Sequence, residues 1–242
     1  KQLNAYGAPM AVAADGKTAY FSKAIFVKPE YGIFSKKQVV HKIYKAENIG
    51  GEWKNVKELK LGPKYSSAIH PAVSQDGKRL FFASDMPGTF GKFDIYVAEI
   101  SENGTVGIAK NLGEKVNTRK NDLYPNIVDG ETLFFASNGR RGYGGMDIYM
   151  AQVGQRKVQW SVNLGSPINS AEDDYSIFLS SETGKGYVMS NRGDQKGSIQ
   201  RVAFSYVPKR KQTSKAAMDY NLLEALNSSS KVDYSNAFFE DE

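Results

Sequence analysis

Pro71-Ala-Val-Ser-Gln-Asp-Gly-Lys-Arg-Leu-Phe-Phe-Ala-Ser-Asp85, followed by Asp94-Ile-Tyr96, decides the fold because the chain repeats it. It returns as Pro125-Asn-Ile-Val-Asp-Gly-Glu-Thr-Leu-Phe-Phe-Ala-Ser-Asn138 with Asp147-Ile-Tyr149. Weaker copies lie on either side. One is Pro9-Met-Ala-Val-Ala-Ala-Asp-Gly-Lys-Thr-Ala-Tyr-Phe-Ser22 with Lys42-Ile-Tyr44. The other runs from Tyr175 to Ser190 and continues to Ser198-Ile199. Asp94 and Asp147 are 53 positions apart, and Asn111 and Asn163 are 52 apart. A period of this length holds about four short strands.

The strands follow from the pattern. Strand a runs into an Asp-Gly turn at Asp15-Gly16, Asp76-Gly77 or Asp129-Gly130. Asp-Gly between apolar runs favours a hairpin because Gly accepts positive φ. Strand b is Leu80-Phe81-Phe82 and its counterparts Leu133-Phe134-Phe135, Ala19-Tyr20-Phe21 and Tyr187-Val188-Met189. Such unbroken apolar runs predict burial on both faces. Strand c is Asp94–Glu99 and Asp147–Gln152, and strand d carries Lys110-Asn-Leu-Gly113 and Val162-Asn-Leu-Gly165. We therefore expect an all-β chain, a β-propeller of four-stranded antiparallel blades. The blades are expected at about 1–62, 63–116, 117–168 and 169–207. Four is a low count for a closed ring, and these blades are expected to belong to a larger one; the alternative is a small or open ring capped by its own termini. Residues 208–242 read as a C-terminal tail, with a short helix from Ser214 to Leu226 and then an apolar and acidic end.

Composition fits this reading. The chain has 242 residues, 40% hydrophobic, 12% aromatic, with 23 Gly. It has no cysteine, which excludes disulfides and thiolate sites. No apolar run approaches the ~18 residues of a membrane span, and no signal peptide is visible. Net charge is +6, with a pI of about 9.2. Basic balance suits anionic partners, but no nucleic-acid-binding motif accompanies it and nucleic acid is not an expected partner.

The phrase resembles the WD40-like PD40 repeat of TolB-type proteins. His70 to Gly88, Gly91-Lys-Phe-Asp-Ile-Tyr96, Asn111-Leu-Gly113 and Asn117-Thr118 are similar to the propeller module of OmpA-family, PorE-type outer-membrane proteins of Bacteroidota. So are Asn138-Gly-Arg-Arg-Gly-Tyr-Gly-Gly-Met-Asp-Ile-Tyr149, Asn163 to Ser170, Asp173-Asp-Tyr175 and Ser190-Asn-Arg-Gly193. The resemblance implies a periplasmic, outer-membrane-associated scaffold that binds envelope proteins, in the setting of type IX secretion or gliding. An OmpA-type domain and a tetratricopeptide pattern are not recognised here. Peptidoglycan association is thus expected only through domains outside this chain.

Catalytic and metal patterns are sparse. His41 and His70 form no metal or base constellation, and neither a Gly-x-Ser-x-Gly elbow nor a Walker loop is found. Gly142-Tyr-Gly-Gly145 sits between strands, without the strand-to-helix setting of a nucleotide site. Glu172, Asp173 and Asp174 fall in a polar connection. Asp94 and Asp147 recur at one blade position, as expected of hydrogen-bond anchors for the preceding loop. No cofactor, metal or catalytic residue is assigned, and the expectation is of a chain that is not an enzyme. Partner binding is expected at the loops joining strands b and c, through Phe90, Lys92, Arg140, Arg141, Tyr143, Arg192 and Lys196. An insertion from Lys23 to Gln38 adds Phe26, Tyr31 and Phe34. The tail adds Leu222, Leu223, Leu226, Phe238 and Phe239, with a partner chain preferred over docking on its own blade. Two alternatives stand beside the scaffold. One is a ligand- or glycan-binding propeller; the other is the propeller half of a hydrolase.

Overall fold

The computed structural model describes residues 10–28, 38–180, 183–193, 198–206 and 231–233. Among these residues the chain is all-β, a β-propeller of four antiparallel blades. Blade 1 is β1 (Met10–Val12), β2 (Thr18–Val27), β3 (Gln38–Ile49) and β4 (Glu52–Glu58). Blade 2 is β5 (Ala68–Val73), β6 (Arg79–Ser84), β7 (Asp94–Glu99) and β8 (Lys110–Asn111). Blade 3 is β9 (Asp122–Val128), β10 (Thr132–Ser137), β11 (Asp147–Gln152) and β12 (Val162–Asn163). Blade 4 is β13 (Asp174–Ser180), β14 (Lys185–Ser190), β15 (Gln200–Ser205) and β16 (Lys231–Asp233). Within each sheet the strands lie in chain order. The chain divides into two compact units, Lys1–Gly130 and Glu131–Glu242.

In the first unit the core is made by the apolar strands the repeat encodes. Tyr20 and Ile43 of blade 1 pack with Leu80, Phe82, Tyr96 and Ala98 of blade 2. Phe81, on the opposite face of β6, is also fully buried. In the second unit every residue of β10 is buried, from Thr132 to Ser137. Burying a Phe or Leu side chain contributes about 1.5–3 kcal/mol. A cross-strand ring pair recurs. Phe21 faces Tyr44, Phe82 faces Tyr96 and Phe135 faces Tyr149, each directly in register. Each pair has its ring centroids 5.9 Å apart.

The Asp-Gly turns are where expected. Asp129 and Gly130 both adopt positive φ, 50° and 75°. Asp tolerates that region better than most residues, and Gly enters it without steric cost. In blade 2 Asp76 also accepts the Ser74 hydroxyl and the Lys78 N–H. Those bonds hold its carboxyl below the usual range, with the Ser74 bond as the largest cause.

Three expectations change. The insertion in blade 1 does not begin at Lys23, because β2 continues to Val27 and pairs with β3 down to Gln38. Alternating apolar residues simply prolong the hairpin there. In blade 4 strand c starts at Gln200, not Ser198. Ser190 pairs with Gln200 as Ser84 pairs with Asp94 and Ser137 with Asp147. Finally, Lys231–Asp233, inside the segment read as tail, pairs with β15 as the fourth strand of blade 4. At those three residues the tail docks on its own blade. The helix expected over Ser214–Leu226 lies outside the described residues.

Candidate interaction site at the blade loop tips

The repeat builds one loop skeleton twice. In blade 2, Asp94 is fully buried at the start of β7. Its Oδ2 accepts the Phe90 N–H at 2.7 Å and the Asn111 Nδ2–H at 2.7 Å. In blade 3, Asp147 is 1% exposed, and its Oδ2 accepts the Tyr143 N–H at 2.8 Å. Its Oδ1 takes the Gly144 N–H at 3.2 Å. Both aspartates thus act as the loop anchors expected from the repeat. Each fixes the backbone four residues earlier and leaves that residue's aromatic ring outside. Phe90 is 52% and Tyr143 57% exposed. Burial raises the Asp147 pKa first. The Tyr143 and Gly144 N–H groups counter that, while nearby Asp174 adds to the rise.

A buried asparagine pins the connection into each following blade. Asn117 accepts the Ile95 N–H at 2.7 Å, and its amide donates to the Ile95 carbonyl and to Asn111 Oδ1. Asn169 does the same to Ile148 and to Asn163 Oδ1. A side-chain amide can satisfy a backbone donor and acceptor at once, which a buried strand end requires. Next, Thr118 donates its N–H and hydroxyl to Asp122, and Ser170 donates both to Asp174. Asn117, Thr118, Asn169 and Ser170 thus spend their side-chain hydrogen bonds within the chain. Their signal in the sequence is the recurring Asn-Leu-Gly followed by Asn-Thr or Asn-Ser, which sequence reasoning passed over as a resemblance only.

The backbones at each tip are in close contact. A Cβ on Gly91 would lie 2.4 Å from the Arg119 carbonyl carbon and the Lys120 oxygen, and the Lys92 N–H donates to the Lys120 carbonyl at 2.9 Å. A Cβ on Gly144 would lie 2.0 Å from the Glu172 oxygen. Gly is therefore required at both places by space. The charges beside the two rings differ. Phe90 is flanked by exposed Lys92, Arg119 and Lys120. Tyr143 is flanked by exposed Arg141 and exposed Glu172, with Asp173 half-buried.

The predicted contact residues separate into classes. Phe90, Lys92, Arg141 and Tyr143 are exposed. Arg140 is half-buried, with its guanidinium 5.8 Å from the Tyr149 ring centroid. Arg192 is corrected: its side chain is only 7% exposed and pairs with fully buried Asp174. Its guanidinium also donates to the Pro167 and Ile168 carbonyls and to Ser190 Oγ. It braces the loop from within and is not available to a partner. Phe26 is 74% exposed on the long hairpin, opposite half-exposed Val39. Lys196, Tyr31, Phe34, Leu222, Leu223, Leu226, Phe238 and Phe239 lie outside the described residues.

His70 is structural. The His70 ring stacks on Tyr124 at 3.8 Å, and its Nδ1 accepts the Tyr124 N–H. Burial, and then the neighbouring His41, lowers its pKa to about 4. His41 is exposed on β3, and its backbone N–H donates to Ser67 Oγ. Among the described residues no group of three or more His, Asp or Glu is placed to hold a metal ion, and no helix is long and apolar enough to cross a membrane.

No protein-family model and no curated protein matches the sequence. Solved structures do match. TolB from Acinetobacter baumannii is 18% identical over 82% of this chain, with a TM-score of 0.47. A puromycin-hydrolysing peptidase from Mycobacterium tuberculosis is 17% identical over 82% of the chain, with a TM-score of 0.52. The tricorn protease is 12% identical over 93%, with a TM-score of 0.51. This chain spans 41%, 29% and 22% of those proteins, respectively. The expectation that the chain is not an enzyme is corrected by these matches. The same fold is found in a peptidase and a protease, so a repeat that encodes the fold does not set enzymes aside. At these identities the likeness establishes the propeller fold.

Proposed function

We propose that this chain is a protein-interaction propeller of the cell envelope, a periplasmic module of an outer-membrane-associated complex of the secretion or gliding type. One observation carries the reading. Twice, a buried aspartate holds a loop backbone N–H whose aromatic side chain stands in solvent. An exposed ring at a fixed position enters an interface at little entropic cost, and aromatic residues dominate interface energetics. The repeat phrase, with its resemblance to PorE-type propellers, supplies the envelope setting. Type IX secretion is the more specific form of the proposal.

The experiment is co-purification after cross-linking in the native cell. The full chain should recover a stoichiometric envelope protein. A Phe90→Ala/Tyr143→Ala chain with an unchanged melting temperature should not. Equal recovery by both chains would sink the reading. A rise in melting temperature with cell-wall fragments or sugars, without a protein partner, would favour a glycan-binding propeller instead.

A further inference from the structure

The blade 2 tip carries cationic charge that no ion pair among the described residues neutralises. Lys92, Arg119 and Lys120 spring from two backbone segments in direct contact, and all three are exposed. No described residue forms an ion pair with any of them. Elsewhere on the surface Lys54 pairs with Glu52, and Lys110 lies near Glu99. The carboxylates of the tip, Asp94 and Asp122, are fully buried and accept backbone N–H groups from Phe90 and Thr118. Phe90 therefore stands exposed on a tip that also carries three exposed cations without an ion-pair partner among the described residues.

We propose that the Phe90 tip binds an acidic protein segment that carries an aromatic or large aliphatic residue among its carboxylates. The proposal rests on the reading of the tips as interaction sites and names the chemistry of the partner. Carboxylates would engage Lys92, Arg119 and Lys120, and the apolar residue would pack on the Phe90 ring. Charge complementarity sets the choice, since like charges across an interface repel strongly. A nucleic acid is less well matched. Such a partner calls for a basic stripe that tracks many phosphates, and the equivalent tip around Tyr143 places Glu172 where blade 2 has Lys120.

The test is fluorescence anisotropy with the full chain and a labelled, amidated peptide, Glu-Asp-Phe-Glu-Asp-Phe-Glu. Binding should weaken as salt rises, because exposed charges are screened. Lys92→Glu/Lys120→Glu should lose affinity by about tenfold or more, and Phe90→Ala by about tenfold, as expected for a central anchor. Lys92→Gln/Lys120→Gln provides a milder variant if charge reversal disturbs folding. No binding of the peptide, or equal binding by the variants, would overturn the proposal. So would tighter binding of a single-stranded DNA 12-mer or of phosphatidylserine vesicles. Failure here, with the Phe90→Ala/Tyr143→Ala chain still losing its envelope partner, would reject the acidic specificity and leave the interaction reading standing.

Discussion

The tips of blades 2 and 3 share a skeleton and differ in what surrounds it. Asp94 and Asp147 hold Phe90 and Tyr143 in the same way, yet one ring stands among three cations and the other among mixed charges. The repeat fixes backbone hydrogen bonds, which tolerate few residue types. The exposed positions between those bonds are free to vary. Recognition on such a fold is therefore expected in the differences between copies, and stability in what they have in common.

The sharpest way to test that division is at two arginines. Arg192→Ala should cost about 3–5 kcal/mol in urea denaturation, because it strands buried Asp174 without its counter-charge. Arg141→Ala, exposed beside the Tyr143 tip, should stay within about 0.5 kcal/mol. Similar small effects from both would mean that Arg192 is decoration too.

The shared skeleton is broken next. Asp94→Ala and Asp147→Ala should each cost roughly 3 kcal/mol, since each leaves two donors without their charged acceptor. Asp147→Asn should be milder, because it keeps an acceptor and removes a carboxylate whose ionisation burial disfavours. If Asp147→Asn is as costly as Asp147→Ala, burial of the charge is not the deciding term.

A third effect of comparable size depends on pH. His70 titrates near 4 in the fold and near 6.5 when unfolded. Its contribution is fully present above pH 6.5 and is lost as pH falls towards 4, because only the unfolded state takes up the proton. The loss should approach roughly 3 kcal/mol by the linkage relation. His70→Gln should flatten that limb when stability is compared at pH 7 and pH 4.5. An unaltered slope would show that His70 is already protonated or freely hydrated.

The smallest effect on stability should come from exchanging the decorations. Replacing Lys120 with Glu, as at Glu172 in blade 3, should shift stability by no more than about 0.5 kcal/mol, as for most surface changes. It should still weaken acidic-peptide binding measurably. A large loss of stability would place Lys120 in the skeleton.

Much of the skeleton was legible in the sequence. Phe81-Phe82 and Phe134-Phe135 announce doubly buried strands, and Asp76-Gly77 and Asp129-Gly130 announce turns, because these are local requirements. Asp94 and Asp147 were legible as loop anchors because they recur. What failed involved partners distant in sequence. Arg192 reads as a surface loop cation until Asp174 and the Pro167 and Ile168 carbonyls are seen around it. Asn117 and Asn169 look like ordinary loop residues until their bonds across the strand are known. Gln200 replaces an aspartate, so the Asp-Ile-Tyr phrase could not locate strand c in blade 4. Lys231–Asp233 is too short to show a strand period at all.

Blade 1 inverts the anchor. The position of Asp94 is taken by Lys42, which faces Lys23 across the hairpin as Asp94 faces Ser84. Lys42 is 7% exposed, and its ammonium group donates to the Pro63 and Ser66 carbonyls at 2.7 Å each. Burial lowers its pKa, while Glu58 and Asp85 pull the other way. An anchor that binds main chain rather than side chain needs no co-evolving partner. Every peptide unit offers both a donor and an acceptor, so the sign of the anchor is reversed by turning the loop to present the other. Blade 1 thereby carries an anchor of opposite charge without a charged side chain to match it.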